Sequence, residues 1–169
     1  ALYADTNLER EPSSGGRQMG GHFATRLLDD EGGWLDQTKG FNSSADISPT
    51  AGQMPRLLGL AQASKLYRSL PDAAAKNHQF TKEGNEIAIG TIGDSSTSEG
   101  PFWETMNAAG VLQVPMLMNV WDDGYGISVP KKYQTTKASI SVALCGMQKE
   151  EGTNGIVIYR VKGWDYPAL

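Results

Sequence analysis

The pair Gly93-Asp94 and the small residues Ser95-Ser96-Thr97-Ser98-Glu99-Gly100 after it combine residue types that could do chemistry. They follow the apolar run Glu86-Ile87-Ala88-Ile89-Gly90-Thr91-Ile92. Small side chains let backbone N–H groups approach an anion where a helix begins. An aspartate there offers a hard oxygen ligand to a Mg²⁺ ion bridging that anion. A second acidic turn, Asp122-Asp123-Gly124-Tyr125-Gly126-Ile127-Ser128, follows a second apolar run, Met116 to Trp121. Asp123 comes 29 positions after Asp94, room enough for one strand-helix-strand crossover. If the strands are parallel neighbours, both acids lie at their carboxyl ends, where open α/β sheets bind ligands. Two carboxylates could then meet at one cation. From the residues alone, a pair of solvated acidic turns stands equally well.

Both turns depend on the elements that hold them. Pro55 suits a first helical turn, and Leu57, Leu60, Ala61 and Tyr67, with small Ser64 between them, can share a face of a helix over 53–68. A Pro71-Asp72 turn and polar residues through Glu83 lead to the β-branched segment 86–92, which reads as a buried strand. A helix over 102–112, a strand over 116–121 after Pro115, a helix near 138–147 and a strand over 156–161 follow. Alternation of this kind predicts an α/β fold with a mainly parallel sheet flanked by helices. Residues 1–49 are rich in Gly, Ser, Asp and Asn and read as an irregular arm that packs on a partner or enters a site. Residues 50–169 form the core.

Composition narrows the classes. The 169 residues suit one domain, with 39% hydrophobic and 20% charged. No run reaches the roughly 18 apolar residues of a membrane span. A net charge of −4 with no basic stripe argues against nucleic acid. Cys145 is the one cysteine and His22 and His78 are the two histidines, so no disulfide or Cys-rich zinc site is expected and a reducing, cytoplasmic compartment is. The polar start from Ala1 to Arg10 lacks a signal peptide's pattern, and the missing initiator Met leads us to expect an earlier natural start. No G-x-G-x-x-G follows a predicted strand, which disfavours a nicotinamide-binding dehydrogenase domain.

A Gly-Asp pair, about thirty residues, and a polar pair with Tyr two places later resemble the thiamine diphosphate fingerprint of the alpha-type subunit of 2-oxo acid dehydrogenases. Gly16-Arg17-Gln18-Met19 with His22, Ser48-Pro49-Thr50-Ala51-Gly52-Gln53-Met54-Pro55, Ser98-Glu99-Gly100 and Tyr125-Gly126-Ile127-Ser128-Val129-Pro130 are similar to segments of the branched-chain type. The likeness runs from about Gly15 to Val161, and it is strongest to a fused form in which alpha-like and beta-like halves share one chain.

The resemblance implies the diphosphate-binding half of a thiamine diphosphate-binding fold. Mg²⁺ would be held by Asp94, Asp123 and the carbonyl of Tyr125, with Gly93, Asp94, Ser95 and Ser96 around the diphosphate. Ser48 and Thr50, with Gln53, would border the cofactor and contribute to a monovalent-cation site. The implied reaction decarboxylates a 2-oxo acid and passes the acyl group to a lipoyl-bearing acyltransferase. A beta-type half or subunit is the implied partner, and the assembly is expected to be oligomeric. No catalytic residue is assigned, because the family's loop histidine lies downstream of Leu169 and its activating glutamate belongs to the beta-type half. His22, His78 and Glu99 do not match them; Glu99 reads as a helix-start carboxylate.

Two departures stand out: the family usually has Asn at Asp123 and Gly at Ser95. The extra carboxylate adds negative charge beside a diphosphate, for Mg²⁺ or a cation such as Lys131 or Lys132 to offset. Trp103, Trp121 and Trp164 read as core or interface residues and Cys145 as a buried small hydrophobe. The Gly163-Trp164-Asp165-Tyr166 turn reads as a wall of the crevice. A transketolase-like thiamine enzyme and a non-catalytic assembly module are the alternatives.

Overall fold

A computed structural model describes residues 6, 7, 9, 24–45 and 47–168. The segment Gly16-Arg17-Gln18-Met19 and His22 lie outside them. Helix α1 (Met54–Ser69) begins with proline in its first turn, where a missing N–H costs nothing. It buries Met54, Leu57, Ala61 and Ser64. Leu60, expected on the same face, is half-exposed, since it falls roughly 80° from the stripe's centre at 3.6 residues per turn. Ser64 is buried as an anchor: its hydroxyl donates to the carbonyls of Gly84 at 3.0 Å and Glu86 at 2.6 Å.

The Pro71-Asp72 stretch, expected as a turn, forms the short helix α2 (Pro71–Lys76). Proline at its start, Asp72 in its first turn and the run Ala73-Ala74-Ala75 all favour helix there. Strands β1 (Ala88–Gly93) and β2 (Met116–Trp121) pair in parallel, from Ala88 opposite Met116 to Gly93 opposite Trp121. Helix α3 (Gly100–Leu112) is the crossover between them. Gly90 lets α1 lie close on β1, because a Cβ there would collide with the buried Leu57 side chain.

One face of this pair is sealed by the core cluster Ala51, Met54, Ile92, Phe102, Met106, Ile140 and Leu144. Met116, Met118 and Val120 pack against it from β2. Past β2 the chain makes a two-residue antiparallel hairpin, β3 (Tyr125–Gly126) with β4 (Val129–Pro130). The helix expected near 138–147 shrinks to α4 (Ile140–Ala143) and a 3-10 turn, Cys145–Met147. Positive φ at Lys137 (61°) and Ala138 (49°) blocks any earlier start.

The third strand, expected over 156–161, forms no ladder with β2. Ile156 donates its N–H to Met147 O at 2.9 Å and its carbonyl accepts from Lys149 N at 2.8 Å, so its hydrogen bonds form an isolated parallel bridge with Gln148. Ile156 and Ile158 still insert into the core. The described part of the N-terminal arm rests on its own chain: Gln37 N donates to Gln79 O at 2.7 Å, and Trp34 meets Phe80 edge-on with centroids 5.0 Å apart. Among the described residues, no helix is long and apolar enough to cross a membrane.

Candidate functional site

Parallel pairing of β1 and β2 brings their carboxyl ends side by side, and the turns that leave them share a cleft. Asp94 is the first residue past β1, and its N–H donates to Trp121 O, the last carbonyl of β2, at 3.0 Å. The Asp94 carbonyl accepts the Thr97 N–H at 3.2 Å and the Thr97 hydroxyl at 2.5 Å, which closes the 3-10 turn Ser95–Ser98. These bonds pin the Asp94 backbone, while its side chain is only 3% exposed. The Oδ2 atom is buried without a hydrogen-bond partner among the described residues.

Burial pushes the Asp94 carboxyl above the usual carboxylate range. The Ser95 N–H pulls it down, the negative charges of Asp122 and Asp123 push it up, and Lys131 pulls it down again. The two neighbouring acids are held differently. Asp123 Oδ1 accepts the Tyr125 N–H at 3.0 Å and shapes the turn. Both oxygens of Asp122 accept from Lys131 Nζ at 2.8 Å. Of the two lysines considered as counter-charges, Lys131 takes that place and Lys132 lies over the Tyr133 ring, 4.9 Å from its centroid.

The cleft has a volume of about 590 Å³ and is lined by Thr50, Gly93, Asp94, Ser95, Ser96, Glu99, Trp121, Asp123, Tyr125, Gly126 and Ile127. Of the residues singled out in the sequence, Thr50, Gly93, Asp94, Ser95, Ser96, Asp123 and Tyr125 meet here, and Ser48 lies outside the lining. Gln53 is engaged nearby, its amide donating to Ile47 O at 2.5 Å. Asp94 and Asp123 offer two carboxylates and Tyr125 a carbonyl, a hard oxygen donor set; no group of three His, Cys, Asp or Glu that could hold a metal forms among the described residues.

Several sequence expectations change. Trp121 is not in the core of this chain: it is 72% exposed in the cleft wall. Cys145 is exposed, because the short 3-10 turn that carries it turns its side chain outward. Glu99 stands at the start of α3 as expected, without a side-chain capping bond, and also lines the cleft. Trp164 is exposed and outside the lining, whereas Trp103 packs on the core. His78 is exposed outside the cleft, and His22 lies outside the described residues.

Two participants were not singled out as site residues. Ile127 is fully exposed in the cleft at φ 57°, an uncommon conformation for a β-branched residue. Gln134 reaches the Ser95 hydroxyl across 39 positions of chain.

Residues 32–168 match the sequence family described as dehydrogenase E1 component. The chain is 30% identical to the 2-oxoisovalerate dehydrogenase subunit alpha of Bacillus subtilis (strain 168) over 131 residues, 78% of this chain and 31% of that relative. It is 31% identical to the pyruvate dehydrogenase E1 component subunit alpha of Staphylococcus epidermidis (strain ATCC 12228 / FDA PCI 1200) over 81 residues, 45% of this chain and 22% of that relative. The same subunit of Staphylococcus aureus (strain Mu50 / ATCC 700699) is 30% identical over 94 residues, 52% of this chain and 25% of that relative. The chain thus spans less than a third of the length of these curated relatives.

Proposed function

The chain belongs to the dehydrogenase E1 component family, and on that premise we propose that it clamps Mg²⁺ and the diphosphate of thiamine diphosphate in an alpha-type 2-oxo acid dehydrogenase. One observation carries the reading: a buried Asp94 oxygen without a partner, in the lining of a cleft that Asp123 and Tyr125 share. A buried carboxylate oxygen without a partner is costly. A divalent cation removes that cost, because its charge is the largest in such a site.

The residues fit the group. Asp94, Asp123 and the Tyr125 carbonyl would hold Mg²⁺, which prefers oxygen ligands and shares them with phosphates. Gly93, Ser95 and Ser96 would receive the diphosphate through their backbone, since small side chains allow close approach. Thr50 would border the cofactor, with Ser48 further out beside a monovalent cation. Lys131 engages both oxygens of Asp122 and leaves Asp94 and Asp123 to the cation. Trp121 and Ile127 present apolar surface to the cleft.

When bound, thiamine diphosphate supplies the nucleophilic carbon and the electron sink for loss of CO₂. This chain's share is binding and orientation, which hold the reacting end of the cofactor against substrate. Decarboxylation of a 2-oxo acid, acyl transfer to a lipoyl-bearing acyltransferase and completion of the site by a beta-type half in an oligomer are parts of the same proposal. Likeness to the 2-oxoisovalerate dehydrogenase subunit alpha of Bacillus subtilis supports a branched-chain 2-oxo acid as substrate. The single cysteine supports a reducing, cytoplasmic setting.

Calorimetric titration of thiamine diphosphate into the chain, with Mg²⁺ and again with a chelator, tests the clamp. Binding heat is expected only with Mg²⁺, and Asp94→Ala is expected to abolish it. Equal heat in the chelated sample would overturn the cation's role.

A further inference from the structure

We propose that Gln134 is a positioning residue that staples the turn after β1 to the hairpin after β2, so that Asp94 and Asp123 are presented together; the proposal rests on the reading of the cleft given above. Gln134 bonds in both directions. Its side-chain Oε1 accepts the Ser95 hydroxyl, and its Nε2 donates to Val129 O of β4 at 3.0 Å. Its main-chain carbonyl accepts the Ser98 hydroxyl at 3.2 Å. One residue therefore holds both ends of the Ser95–Ser98 turn and the returning strand of the hairpin.

The surroundings are built to admit this contact. A Cβ at Gly126 would collide with Ser95 Oγ and Gln134 Nε2, so the hairpin can close on the turn only because position 126 has no side chain. The segment carrying Gln134 is itself fixed: Gln134 N donates to Lys131 O at 2.9 Å, and Lys131 N donates to Gly124 O at 2.9 Å. Two like charges repel across a cleft, which favours its opening when no cation is bound. A cross-tie between neutral groups resists that without adding charge. The Ser95 hydroxyl is committed to Gln134, so Ser95 meets the diphosphate through its backbone alone.

The test uses Mn²⁺ as a paramagnetic stand-in for Mg²⁺, with thiamine diphosphate, in the full chain. Bound Mn²⁺ is counted by electron paramagnetic resonance for wild type, Gln134→Met, Ser95→Ala and the double variant. Each single change is expected to weaken cofactor-dependent Mn²⁺ binding about tenfold or more. The double variant is expected to be no weaker than the worse single one, as for two halves of one contact. Thermal midpoints are expected to stay within about 4 °C of wild type. Single variants that bind like wild type, losses that simply add, or affinity lost only along with folded structure would overturn the staple alone. A wild-type chain that shows no cofactor-dependent Mn²⁺ binding would overturn the reading of the cleft, and the staple with it. Ser95→Ala removes only a hydroxyl and carries the comparison if Gln134→Met does not fold.

Discussion

Asp94 sets the balance between stability and binding at the scale of one residue. Burial, together with the charges of Asp122 and Asp123, raises its carboxyl above the ordinary range against the pull of Ser95 N–H and Lys131. For an acid so raised, the fold favours the protonated form. The cation-free chain should therefore lose stability as pH climbs from the ordinary aspartate range through the raised value. Cation binding needs the carboxylate, so it should weaken as pH falls through that same raised value. Asp94→Asn is expected to raise the cation-free unfolding midpoint at neutral pH and flatten this slope. It should weaken Mg²⁺-dependent cofactor binding at least about tenfold. Thermal melts across pH, with and without Mg²⁺, check both effects, and a midpoint that drops in Asp94→Asn would contradict the account. The Lys131–Asp122 pair acts more modestly: with side chains 32% and 35% exposed, it is worth up to about 1 kcal/mol, and its weight is local charge.

At the scale of elements, the site depends on how closely α1 lies on β1. Gly90→Ala puts a methyl group against the buried Leu57 side chain and is expected to cost about 1–3 kcal/mol by overpacking. Denaturant unfolding checks this, and with Leu57→Ala added the combined loss should be smaller than the sum of the two single losses, because the truncation makes room. The long elements were legible in the sequence because their signals are local. A proline at the start of α1, apolar spacing along it, β-branched residues in β1 and an apolar run in β2 all act over a few residues. The short ones were not legible. Helix α2 hid behind a proline that reads as a turn, and the segment near 138–147 breaks at two positive-φ residues whose types give no warning. Residues 156–161 have a strand's composition, but Ile156 spends its hydrogen bonds on Met147 and Lys149.

The whole molecule is asymmetric. One face of the β1–β2 pair is sealed by the core, while Ile89, Leu117 and Trp121 on the other are exposed, as are Val157 and Tyr159 of the extended segment. Parallel sheets are normally covered on both faces, and apolar patches of this kind attract partners or dyes. The chain is expected to bind an apolar fluorescent dye while folded. Ile89→Lys with Leu117→Glu should lower that signal with little change in the unfolding midpoint. Dye fluorescence that survives both changes would locate the exposed apolar surface elsewhere.

The sequence by itself determined the alternation of strand, acidic turn and helix that puts Asp94 and Asp123 at equivalent strand ends. It could do so because strand ends, turns and helix starts are written in neighbouring residues. Only the tertiary structure decided what each carboxylate does: Asp94 is buried with its Oδ2 atom unpaired, Asp123 folds the turn at Tyr125, and Asp122 is taken by Lys131. It also drew Gln134 onto Ser95, left Ser48 outside the cleft lining and turned Trp121 into its wall. These outcomes depend on which distant segments touch, and that is settled by packing and by the bonding needs of buried polar groups.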